Sequence, residues 1–171
     1  MKNIVIILLL CISEFCYSQN LQYADSMSRA KADIVLSHFD SIHVSKLLYS
    51  IDDKYFYILL NDDLCCKEYI VIADSLGSIV KMEGPNKLSR HDKKLLKNLA
   101  PFDLTKYNTN YITESSNVMD FTFGQLAYFV IKCNDGTRWG EFHSFMPIQT
   151  ATIDLKLWAY INRKLFAIVT I

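Results

Sequence analysis

The stretch LAYFVIKCNDGTRWGEFHSF, Leu126 to Phe145, decides how this chain folds. Two runs rich in β-branched and aromatic residues flank Asn134-Asp135-Gly136, and an Asp-Gly pair supplies the two positive φ angles of a type I′ hairpin turn. A two-residue turn on Asp135-Gly136 predicts that Cys133 opposes Arg138, Ile131 opposes Gly140 and Phe129 opposes Phe142, giving an apolar face. The other face then carries Tyr128, Val130 and Lys132 against His143, Glu141 and Trp139. That mixture of aromatic and charged side chains suits a solvent-facing surface or the lining of a groove.

Upstream, Tyr55 to Leu60 (YFYILL), the turn residues Asn61-Asp62-Asp63 and Cys65 to Ala73 (CCKEYIVIA) predict a second hairpin. Asp74-Ser75-Leu76-Gly77 turns the chain again into Ser78 to Met82, which makes a three-strand antiparallel meander. Gly84-Pro85-Asn86 is expected to break the sheet. Ser89 followed three residues later by Asp92 is an N-cap pattern for a helix over Arg90 to Leu99, ended by Ala100-Pro101. Leu21, Ala24, Met27, Ala30 and Ile34 recur at helical spacing and predict a helix from Leu21 to about Phe39. Asp103 to Asn117, rich in Asn, Thr and Ser, reads as irregular connection.

Residues Ile153 to Ile161 alternate in the manner of a strand, although Ile153, Leu157, Ile161 and Leu165 also trace a helical stripe. The alternation is taken as a strand here, with Ala167 to Ile171 closing the sheet. The fold expected is therefore α+β: an antiparallel sheet, made of the three-strand meander plus C-terminal hairpins, covered on one face by two helices.

The first residues carry an address. Met1-Lys2-Asn3 is a short cationic start, Ile4 to Ile12 is an unbroken apolar run, and Cys16 and Ser18 bracket Tyr17 in the manner of a signal-peptidase site. Residues 1–18 are thus expected to be a signal peptide and 19–171 a single α+β domain in the periplasm or outside the cell. Nine apolar residues rise roughly 1.5 Å each and reach about half of a ~30 Å hydrocarbon core, so no transmembrane anchor is expected after cleavage. Lipid anchoring would need a small residue before the modified cysteine, and Leu10 and Phe15 precede Cys11 and Cys16.

The formal charge of the chain is +0, so no global field recruits nucleic acid. Beyond the signal segment the cysteines are Cys65, Cys66 and Cys133. In an oxidising compartment one disulfide, Cys133 with Cys65 or Cys66, competes with three reduced thiols.

Candidate chemistry is thin. Glu141 and His143, beside Tyr128 and Trp139, form a set for acid/base work or for holding a ligand by stacking. His38, Asp40 and His43 resemble metal ligands, but residues five apart on a helix diverge by about 140°, so only Asp40 and His43 share a direction. Arg90, Lys93, Lys94 and Lys97 fall on one arc of their helix as a basic stripe opposite Leu95, Leu96 and Leu99. A Cys133–His143 dyad is on opposite faces of the expected hairpin, and no phosphate-cradling glycine motif, cofactor motif or G-x-S-x-G is present.

The reading that follows is an exported small non-catalytic protein that binds another protein, as an inhibitor, an immunity-type protein or an accessory subunit. The alternative is a small hydrolase or ligand-binding protein with a sheet-face pocket around Glu141 and His143.

Overall fold

The computed structural model describes residues 26–61, 66–107, 126–144 and 154–169. The expected signal segment, Cys65 and the stretch 108–117 lie outside them. Helix α1 spans residues 26–37. Strands β1 (Ser45–Ile51), β2 (Tyr55–Asn61), β3 (Cys66–Ala73) and β4 (Ile79–Lys87) precede α2 (Arg90–Leu99) and a 3-10 turn over Leu104–Lys106. Strands β5 (Leu126–Lys132) and β6 (Arg138–Ser144) and helix α3 (Leu155–Val169) complete the described chain. The fold is α+β with a six-stranded antiparallel sheet in the order β4-β3-β2-β1-β5-β6.

Alternation along the strands sorts the core into two halves. Leu47, Tyr49, Tyr57, Leu59, Ile70, Phe129 and Ile131 pack with Leu96 of α2 and with Leu157, Tyr160, Ile161 and Leu165 of α3. Leu48, Phe56, Ile58, Leu60, Tyr69, Val71, Tyr128 and Val130 pack with Ala32, Val35 and Leu36 of α1 and with Phe39 just beyond it. The two helices expected on one face therefore sit on opposite faces, and α3 joins α2. The sheet is the middle of three layers, so its central strands are buried on both sides. Each fully buried large apolar side chain there contributes about 1.5–3 kcal/mol.

One strand is added and three expectations are corrected. Strand β1 has no counterpart in the sequence reading, because a strand buried on both faces is a run, SKLLYSI, without apolar–polar alternation. The sheet does not break at Gly84-Pro85-Asn86: β4 runs to Lys87 with a register shift between Glu68 and Ile70 on its partner. As an edge strand it needs no N–H donor on its outer side, so Pro85 is tolerated. In place of the strand expected over Ile153 to Ile161, residues 155–161 are helical, as are residues 167–169. Asp154 caps α3 by accepting from the backbone N–H groups of Lys156 (2.8 Å) and Leu157 (3.2 Å). The helical stripe is what is buried, while Leu155 is 61% exposed and Ala159 is exposed.

The β5–β6 turn is also one residue longer than expected. Gly136 N–H donates to the Cys133 carbonyl and Cys133 N–H to the Thr137 carbonyl. Only Gly136 adopts positive φ (87°). This longer loop asks a left-handed conformation of the residue without a Cβ alone, and the Asp135 carboxylate fixes it by accepting from Thr137 N–H and Oγ1. The paired positive φ angles of a type I′ turn occur instead at Asp52 (53°) and Asp53 (49°), between β1 and β2.

Candidate functional site

The longer turn slips the hairpin by one residue, which flips one strand's faces relative to the other. Tyr128 lies opposite Phe142 and Ile131 opposite Trp139. Tyr128 therefore shares the α1 face, buried at 1% exposure, and its hydroxyl accepts from Arg138 at 3.4 Å. Its ring crosses Gly140, where an added Cβ would lie 2.8 Å from the hydroxyl. Trp139 is on the other face, half-buried against Tyr107 (4.8 Å between ring centres) and Phe129 (5.7 Å). Tyr128 and Trp139 thus do not share a surface. The side chains of Glu141 and His143 lie outside the described residues. Tyr49, Tyr57, Tyr128 and Tyr160 fill the interior instead of furnishing an aromatic outer surface.

Cys66 and Cys133 are not joined to each other by a disulfide. The register explains why they are not joined: Cys66 pairs with Asn61 and Asn61 with Ser45, while Cys133 follows Lys132, the partner of Lys46. Three strand spacings, about 14 Å, separate the two cysteines, against the roughly 4.4–6.8 Å between Cα atoms that a disulfide spans. Two of the residues weighed as metal ligands have other partners. His38 turns back to the Ile34 carbonyl at 3.0 Å, and Asp40 is held by Lys46 at 3.0 Å. Among the described residues no three potential ligands converge.

The four residues of the expected basic stripe all belong to α2. Ser89 caps α2 by accepting from Asp92 N–H at 3.0 Å, and Leu95, Leu96 and Leu99 pack inward. Arg90, Lys93, Lys94 and Lys97 are all exposed on the outer side, and none pairs with a carboxylate among the described residues.

Behind this helix layer lies a buried polar hub that sequence reasoning missed. Glu68, 5% exposed on β3, accepts from the hydroxyls of Tyr57 (3.3 Å) and Tyr160 (3.1 Å) and from Lys164 Nζ (3.0 Å). Lys164 also lies 3.5 Å from Asp92 of α2, so one lysine of α3 ties both helices to the sheet. Burial pushes the Tyr57 and Tyr160 hydroxyls well above their ordinary range, and the Glu68 charge adds to the shift. Protonated tyrosines are donors, which is the role they fill here. The only sequence signal was a glutamate, beside Lys67, at the start of an otherwise apolar strand.

No protein-family model, no curated protein and no solved structure matches this chain. Its function is argued from its own surfaces. Among the described residues both faces of the sheet are covered, which leaves the outer sides of the helices, the sheet edges and the sheet ends as its surfaces. Among the described residues no helix is long and apolar enough to cross a membrane.

Proposed function

We propose that this is a small exported protein without catalytic activity of its own that binds an acidic partner protein through the outer side of α2. The inhibitor, immunity-type and accessory roles all fit this reading. The observation that carries it is the stripe of Arg90, Lys93, Lys94 and Lys97, exposed and without carboxylate partners among the described residues, on a chain whose formal charge is +0. In a neutral protein such a concentration is local, and a local positive field steers an acidic partner and fixes its orientation.

The test uses the chain from Gln19 onward as bait in an envelope extract, beside a variant with Lys93→Gln, Lys94→Gln and Lys97→Gln. A protein captured by the wild type and lost with the triple variant supports the reading, provided that the purified pair also weakens as salt is raised. Equal capture by both, or no capture by the wild type, overturns it. Trp139→Ala is unsuited to this purpose, because Trp139 packs on Tyr107 and Phe129 and its loss reports on folding.

A further inference from the structure

A second surface lies at one end of the sheet, on the face away from α2. The register lines up one residue from each strand: Lys87, Lys67, Leu60, Lys46, Lys132 and Arg138. All belong to the α1 face, and five are cations. Like charges directly opposite one another destabilise a sheet, yet Lys46 opposes Lys132, Lys132 opposes Arg138, and Lys67 opposes Lys87. Among the described residues two carboxylates answer this row. Asp33 pairs with Arg138 at 2.8 Å, and Asp40 places one oxygen 3.0 Å from Lys46 Nζ and 3.5 Å from Lys132 Nζ.

Lys46 is the informative member. Its side chain is 7% exposed, so its ammonium has little water around it and lies instead against the Asp40 carboxylate. Beside it opens a cavity of about 200 Å³ lined by Asp40, His43, Lys46, Lys132, Cys133 and Asn134. Two ammonium groups share one carboxylate there, and the row beyond adds further positive charge.

We propose that this cavity binds a small oxyanion, a phosphate or carboxylate group. Lys46 is the fixed cation, the more exposed Lys132 turns from Asp40 to the ligand, and His43 supplies a ring N–H donor. Asp40 is an internal competitor whose carboxylate occupies the point between the two ammonium groups that a ligand oxygen takes over. The site is on the opposite sheet face from α2 and stands or falls independently of partner binding there.

The experiment is a titration of the chain from Gln19 onward, followed by amide NMR shifts, with inorganic phosphate and, separately, acetate at constant ionic strength, with chloride as the control. Saturable shifts centred on Lys46, Lys132 and Asn134 are expected. Phosphate saturating more tightly than acetate assigns a phosphoryl ligand, and the reverse order assigns a carboxylate. Asp40→Asn removes the competitor and is expected to tighten binding about ten-fold, while Lys132→Gln weakens it about ten-fold. A structural role for Asp40 alone would not produce that gain. The proposal is overturned if neither anion saturates by about ten times a millimolar dissociation constant in wild type and Asp40→Asn alike, or if the shifts match those of chloride.

Discussion

Replacing Glu68 separates two contributions within the buried hub. In Glu68→Gln the side-chain volume is kept and an amide oxygen remains to accept from the tyrosine hydroxyls, so the main loss is the charge-assisted bond from Lys164. Such bonds are worth about 1.5–3 kcal/mol. The Lys164 side chain is 25% exposed, and solvent screening brings the expected cost to about 1–2 kcal/mol. In Glu68→Ala the hydroxyls of Tyr57 and Tyr160 keep only each other, and each buried group short of a partner costs about 1–3 kcal/mol, for a total of about 3–5 kcal/mol. Urea unfolding followed by far-UV circular dichroism gives both numbers. A double-mutant cycle of Glu68→Gln with Lys164→Met isolates the pair, for which about 1 kcal/mol of coupling is expected. Coupling under about 0.3 kcal/mol, or a Gln variant as unstable as the Ala variant, would refute the assignment of Glu68 as a charged hub.

Three further outcomes are expected. Asp154→Ala removes the cap of α3 and should lower stability by about 1 kcal/mol in a thermal melt; an unchanged melt would mean that α3 starts elsewhere. Gly140→Ala places a Cβ where the Tyr128 hydroxyl lies, 2.8 Å away, and should cost about 1–3 kcal/mol while altering the near-UV spectrum, whereas a neutral result would move Tyr128 off β6. Burial pushes Tyr49 up to about 12 and holds Tyr57, Tyr107 and Tyr160 above their ordinary value as well. The unfolded chain loses these protons from about pH 10 while the native chain keeps them, so this stability is complete below about pH 10 and falls as pH rises beyond it. Tyrosinate absorbance should therefore appear together with unfolding, and early ionisation of all the tyrosines in a chain that is still folded would contradict the burial.

Local chemistry was legible wherever neighbours in sequence decide the outcome. Ser89 and Asp92 gave α2, and the β2–β3–β4 turns and the β5–β6 hairpin were visible from turn residues and strand composition. The failures each involve tertiary context. Strand β1 needs two flanking strands and two helix layers before its apolar run makes sense. Residues 153–161 satisfied both periods, and the capping chemistry of Asp154 was the clue that separated them. One extra residue in the β5–β6 turn was enough to take Tyr128 away from Trp139. The sheet-end cavity could not be read at all, because Lys46, Lys67, Lys87, Lys132 and Arg138 become neighbours only when strands distant in sequence are aligned.

The position of β1 also shapes how the chain reaches this structure. Strands β1 to β4 are linked by short connections, so that half of the sheet can assemble from local contacts. Joining β5 to β1 closes a much longer loop: Ser50 and Tyr128, which meet across this seam, are 78 residues apart. The entropy of that closure favours the late arrival of β5 and β6. Until then the strand destined for the centre is an open edge, with unpaired backbone groups and apolar side chains on both sides, the condition under which chains pair with each other. Lys46 and Ser50 interrupt its apolar run on one face and act as gatekeepers against that pairing. The same lysine that borders the cavity in the folded molecule therefore also protects the unfinished one.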